Sequence, residues 1–173
     1  AQAEPGRRSP GRCKTSAFGW TRGPRAPNPR AMDIRRLSSD YAVSPQIAPN
    51  DVATIREAGF TTVICNRPDG EIPAALRAEV LRQEVEAAGM TFVVNPILPG
   101  RFTGELLATQ AEAMDGSAGP VLAYCASGNR SAIVWSMIRV QDLGVDGVLA
   151  ATRAAGYDHS PFRAQFKAMA EDV

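Results

Sequence analysis

Cys125 and Arg130, separated by Ala126, Ser127, Gly128 and Asn129 and followed at once by Ser131, are the residues whose types and spacing carry chemistry in this chain. A cysteine is a nucleophile as its thiolate, and a nearby guanidinium offers an oxyanion a planar fork of donors. Val121 to Tyr124 is an apolar run of strand length, and Ser131 opens a helical pattern through Ala132, Ile133, Val134, Trp135, Met137 and Ile138. A short loop between strand and helix gathers backbone N–H groups around one point, and the helix N-terminus behind it adds partial positive charge. Both favour a thiolate at Cys125 and capture of a small anion by residues 126–131. Gly128 lets the backbone turn where a Cβ would clash. A buried structural cysteine beside an exposed arginine would use the same residue types. Strand, glycine, arginine and helix in this order favour the reactive thiolate.

The elements that must position this loop alternate in type. Tyr41 to Ser44 and Phe60 to Cys65 read as strands, the second β-branched and hence buried. Pro49 to Ala58 between them reads as a helix with proline in its first turn and Gly59 as its stop. Residues 66–72 form a loop around a Pro-Asp-Gly turn. Helix is expected from Pro73 to Ala88, with Leu76, Val80 and Val85 on one face, then a strand from Thr91 to Asn95. A loop from Pro96 to Phe102 leads into a helix from Thr103 to about Met114. After the helix opened by Ser131, further helices fit Val145 to Ala155, ended by Gly156, and Ser160 to Met169, capped by Ser160. Such alternation predicts an α/β domain with a mostly parallel sheet of four to five strands flanked by helices. Ligands of such sheets bind at the carboxyl ends of the strands, which here brings together Cys125, the 66–71 loop and the 95–102 loop.

At 173 residues there is room for one sizeable core, and no run of about 18 apolar residues suggests a membrane span. Residues 1–31 differ from the rest. They hold five prolines and seven basic residues against one acidic, net +6, while the remainder holds 12 basic and 17 acidic, net −5. A Pro/Gly/Arg-rich segment without apolar periodicity is expected to be a disordered extension, with a single catalytic domain over residues 32–173. Its charge alone does not make a nucleic-acid site, because stacking and groove-reading elements are absent from the pattern. No signal-peptide pattern opens the chain, and few cysteines suggest a reducing, cytoplasmic setting.

The run Cys125-Ala-Ser-Gly-Asn-Arg130-Ser131 resembles the active-site loop of single-domain rhodaneses, which are sulfurtransferases. It is also similar to the phosphate loop of cysteine-dependent phosphatases, which usually place five residues between Cys and Arg instead of four. The order of the elements resembles the dual-specificity type of phosphatase fold. Together with Thr61-Thr-Val-Ile-Cys-Asn-Arg-Pro-Asp-Gly-Glu71 and Gly89, the loop is similar to small bacterial proteins described as beta-lactamase hydrolase-like, phosphatase-like or sulfur transferase, over about Met32 to Gly156. Two departures from the phosphatase pattern stand out. Tyr124 precedes the cysteine where those enzymes commonly have histidine, and the 95–102 loop lacks the aspartate they use as general acid. Asp69 or Glu71 could substitute, or be no more than a solvated turn residue and a charge near a helix start. A short loop without an acid favours sulfur transfer through a Cys125 persulfide, with Arg130 and the loop amides holding the anionic donor and a thiol protein as a possible acceptor. Phosphatase chemistry is the first alternative, and a non-catalytic anion-binding or redox module the second.

Other residues have two readings each. In the phosphatase-like arrangement the strand of Cys65 lies beside that of Cys125, so Cys65 is either a resolving thiol or a small buried residue. Arg67 either adds positive charge to the pocket or pairs with Asp69 or Glu71. His159, the only histidine, is expected at the surface, which argues against a histidine-based metal site. Trp135 is read as core. No cofactor is expected, and the partner is a small anion, with neither nucleic acid nor membrane.

Overall fold

The computed structural model describes residues 32–171, so the expectation for residues 1–31 lies outside the described residues. Five strands form one sheet: β1 (Arg35–Arg36), β2 (Tyr41–Ser44), β3 (Thr62–Cys65), β4 (Thr91–Val94) and β5 (Val121–Tyr124), in the order β1-β2-β5-β3-β4. The pairs β2·β5, β5·β3 and β3·β4 are parallel, and only β1 runs antiparallel, on the edge beside β2. Every residue of β2, β3 and β5 is buried, because helices cover both faces.

Side-chain alternation divides the interior into two layers. Tyr41, Val43, Ile64, Val121 and Ala123 pack on one face, with Trp135 among the largest residues of that layer. Ala42, Val63, Cys65, Leu122 and Tyr124 pack on the other, with Ile55, Leu81 and Val85. The first layer is closed by α3 (Gly104–Asp115), α4 (Asn129–Ala154) and α5 (Arg163–Glu171), the second by α1 (Val52–Glu57) and α2 (Ala78–Ala87). The expected α/β class and flanked parallel sheet are present.

Several boundaries differ from the sequence reading, for local reasons. The segment expected to be helical from Pro73 holds a 3₁₀ turn at Ala74–Leu76, and Arg77 is extended at φ −63°, ψ 156°. The α-helix starts at Ala78, whose N–H donates to Asp69 Oδ1 at 2.8 Å. Its buried face is Ala78, Leu81 and Val85 rather than Leu76, Val80 and Val85. Pro49–Asp51 and Ser160–Phe162 are likewise 3₁₀ turns ahead of α1 and α5. α4 runs on through Val145, but Gly144 leaves helical geometry at φ 70°, ψ 168° and divides it into two segments. β1 carried no recognisable pattern, being two arginines.

Candidate active site

β5 is the central strand, and Cys125 follows it at the carboxyl edge, buried, with its N–H donating to Ser44 O at 3.4 Å. The chain then curls through residues 126–128 and enters α4 at Asn129. Gly128 makes the turn in the left-handed region, φ 84°, and a Cβ there would collide with the hydroxyl of Tyr157. Glycine is required twice over, by conformation and by space.

Arg130 ties the neighbouring loops to this curl. Its Nη1 donates to Glu71 Oε1 at 2.9 Å and to Ile97 O at 2.6 Å, and Nη2 donates to Glu71 Oε2 at 2.7 Å. The loops after β3 and β4 thus meet the loop after β5, as the strand-end rule implied. Arg67 adds a second cation to Glu71: its Nε lies 3.4 Å from Oε2, and Nη2 donates to the Glu71 carbonyl at 3.3 Å. Its Nη1 reaches Gln46 Oε1 at 3.2 Å, joining the segment after β2. The Arg130 guanidinium, with Arg67 behind it, holds the Glu71 carboxyl below the usual carboxylate range.

The secondary candidates are therefore placed unequally. Glu71 lies at the centre, as an ionised partner of two arginines. Asp69 is an exposed residue of a 3₁₀ turn whose Oδ1 accepts from the N–H that opens α2. Cys65 and Cys125 are both free thiols. Cys65 sits opposite Tyr124 in the register, one position short of Cys125, and its thiol donates to Arg67 O at 3.3 Å. Burial pushes the Cys65 thiol up, as it does the Tyr124 phenol. That environment suits a small buried residue better than a resolving thiol. Ser131 is buried in the first turn of α4, and its carbonyl accepts from the Tyr41 hydroxyl at 3.3 Å.

Residues that the sequence reading left out support the site. Gln110 is buried below the two loops, where Oε1 accepts from Asn66 Nδ2 at 2.8 Å and Asn95 Nδ2 at 2.9 Å while Nε2 donates to Tyr41 Oη at 2.9 Å. These amides lock the first residues after β3 and β4 together. The only hint in the sequence was an asparagine ending each of those runs. His159 is the clearest correction. It is 2% exposed, not at the surface, and its Nε2 lies 2.8 Å from Asn129 Oδ1. Phe162 of the following turn meets it edge-on, and Phe166 of α5 stacks on Phe162. Among the described residues there is no group of three or more histidine, cysteine or carboxylate side chains able to hold a metal ion.

A cysteine at the carboxyl end of the central strand, a curled loop closed by an arginine, and helices on both faces of the sheet define a cysteine-phosphatase-like fold. Solved structures agree. A candidate phosphatase from Neisseria meningitidis Z2491 is 30% identical, with 80% of this chain and 99% of that chain covered and a TM-score of 0.71. TpbA of P. aeruginosa in complex with phosphotyrosine is 20% identical, covers 88% of this chain and 100% of that chain, and has a TM-score of 0.53. The family model described as beta-lactamase hydrolase-like protein, phosphatase-like domain, matches residues 33–143, and the chain belongs to that family. Beta-lactamase hydrolase-like protein of Xylella fastidiosa (strain Temecula1) is 26% identical over 129 residues, which is 73% of this chain. The chain spans only 30% of that relative's length.

Proposed function

We propose that the domain is a phosphoric-ester hydrolase with Cys125 as nucleophile and a phosphocysteine intermediate. The observation that carries this reading is how Arg130 is held. Both terminal nitrogens are engaged by Glu71 and Ile97, which fixes the guanidinium plane, and the same guanidinium also faces the Cys125 sulfur. A preset donor beside a thiolate favours a tetrahedral anion whose charge is redistributed as the reaction proceeds. The Cys125 sulfur attacks phosphorus, the S–P bond forming as the ester P–O bond breaks and the alcohol oxygen leaving with its electron pair. Water then cleaves the S–P bond, releasing inorganic phosphate and restoring the thiolate. The phosphatase-like relatives support this order of readings, which reverses the preference drawn from loop length.

Among the described residues, the loops that meet at Arg130 offer the leaving oxygen no positioned proton donor. Glu71 is ionised against Arg130 and Arg67, Asp69 accepts from Ala78, and the 95–102 loop contains no carboxylate. Substrates whose leaving group departs as a stable anion, aryl phosphates and phosphoanhydrides, are therefore favoured over alkyl phosphates. The same observation, with four residues between Cys125 and Arg130, favours a second reading, sulfur transfer. There the outer sulfur of thiosulfate bonds to Cys125 as its S–S bond breaks, and sulfite leaves without needing a proton.

One experiment separates the two. Reduced protein and its Cys125→Ser variant are supplied with an aryl phosphate or with thiosulfate, and the Cys125 peptide is weighed. Turnover of the ester with a phosphoryl group on Cys125, both lost in the variant, is expected. No turnover of the ester, with one cyanide-labile sulfur atom gained from thiosulfate, would overturn the hydrolase reading.

A further inference from the structure

The anion-binding loop is touched from outside by a segment that lies beyond the residues matched by the family model. α4 ends in a Schellman arrangement: Gly156 N donates to Arg153 O at 3.0 Å and Tyr157 N to Thr152 O at 2.9 Å, with Gly156 at φ 89°. That reversal turns the chain back toward the start of the same helix. Tyr157 Oη then donates to Ser127 O at 3.0 Å, and His159 Nε2 meets Asn129 Oδ1 at 2.8 Å. The two contacts straddle Gly128, whose missing Cβ is the space that the Tyr157 hydroxyl occupies. The tyrosine and histidine rings stack at 5.9 Å, and Phe162 meets His159 edge-on at 5.9 Å. Arg35 lies over the Tyr157 ring at 5.1 Å and bonds to Ala155 O at 3.3 Å, clamping the outer side.

We propose that Tyr157 and His159 are positioning residues for the anion-binding loop, holding Ser127 and Asn129 in the curl between Cys125 and Arg130. A loop that gathers backbone N–H groups on an anion must keep its carbonyls turned outward. The Ser127 carbonyl is held by the Tyr157 hydroxyl, and the first residue of α4 is held by His159 through its side chain.

The histidine brace has a pH limit. With Nε2–H donating to Asn129, Nδ1 is a bare ring nitrogen, buried without a partner. Protonation would place an unsatisfied N–H and a charge there, and burial holds His159 below the ordinary histidine range. Asp158, the charged group facing it, pulls the other way but is exposed and already bonded to Ser160 N and Oγ. Phe162 and Tyr157, the other rings against it, carry no charge at neutral pH. Because burial lowers its pKa, the ring stays neutral at and somewhat below the ordinary histidine value of about 6.5, and the brace weakens only as pH falls to the lowered folded value.

The inference rests on the loop being an oxyanion site, so its test does not depend on turnover. Alkylation of Cys125 by iodoacetamide is followed by peptide mass in the presence of sulfate, a dianion throughout pH 5 to 8, and the protection gives a sulfate affinity. Tyr157→Phe and His159→Ala are each expected to weaken sulfate binding about three- to tenfold, the effect of one hydrogen bond. His159→Gln, whose amide can still donate to Asn129, is expected to stay near wild type and to lose the decline in affinity that the wild type shows toward about pH 5, below the ordinary histidine range. Unchanged affinity in Tyr157→Phe and His159→Ala, with melting temperatures near wild type, would overturn the proposal. So would equal losses in the Gln and Ala variants, which would mean that the ring serves packing alone. If sulfate fails to protect even the wild type, the oxyanion reading falls, and unprotected alkylation rates decide the brace: a change in Tyr157→Phe and His159→Ala with retention in His159→Gln supports it, and equal rates refute it.

Discussion

At the scale of single residues, the site is organised by one carboxylate more than by its cysteine. Glu71 joins Arg130 and Arg67, and through them the loops after β2, β3, β4 and β5. Glu71→Gln would keep the shape and remove the charge. Arg130 would then lose the charge-assisted pair that fixes its plane, while the mouth would gain net positive charge. The expected result is kcat lowered about tenfold with KM unchanged or reduced, read from aryl phosphate kinetics. A rise in KM at constant kcat would show that Glu71 does not orient the arginine. Arg130→Lys replaces the fork with a point charge, and kcat/KM is expected to fall at least ~100-fold. The Arg130 and Glu71 side chains are 11% and 29% exposed, so both variants are also expected to lower the melting temperature, which is read alongside the kinetics.

At the scale of elements, the loop depends on what packs behind and below it. Gly128→Ala would place a side chain in the left-handed region and against Tyr157, costing roughly 1–3 kcal/mol. Thermal unfolding should register that loss, and anion protection of Cys125 should fall with it. Below the loops, Gln110 satisfies Asn66, Asn95 and Tyr41 at once. Gln110→Leu leaves Asn66 Oδ1 unpaired and removes one bond each from Asn66 Nδ2, Asn95 Nδ2 and Tyr41 Oη, which keep Asn95 O, Leu106 O and Ser131 O. The expected loss is about 1–3 kcal/mol by denaturant titration. A loss below ~1 kcal/mol would mean that the amides find other partners. The Asn66–Asn95 pair also explains why β3 and β4 end together: each strand stops where its side chain turns from packing to hydrogen bonding.

At the scale of the whole molecule, the core does not end where the family match ends. Val148, Leu149, Tyr157 and Phe166 belong to the same buried layer as Trp135 and Ile64. A fragment ending at residue 143 would expose that layer, and is expected to lose cooperative unfolding by calorimetry. Stability should also follow pH through His159. Its protonation is depressed by burial, so the contribution is present above about pH 6.5 and lost as pH falls toward the folded-state value, the unfolded chain binding the proton first. A melting-temperature profile should slope downward below that point in the wild type and more weakly in His159→Gln. No helix among the described residues is long and apolar enough to cross a membrane.

The chain itself determined the parts that depend on neighbours in sequence. The β-branched runs gave buried strands, the glycine stops gave helix ends, and a strand, a curled loop and a helix start in direct succession fixed Cys125 and Arg130 as a pair. The strand-end rule even gathered the right three loops. What the sequence left open were contacts between residues far apart in the chain. Glu71 could be read as a helix-start charge or a stand-in acid, and only its distance to Arg130, 59 positions away, made it a holder of the arginine. His159 looked like a turn residue because its burial is produced by Asn129, Tyr157 and Phe162 closing around it. Local pattern encodes which face a residue takes within its own element. The partner that satisfies a buried polar group comes from another element, and packing alone decides which.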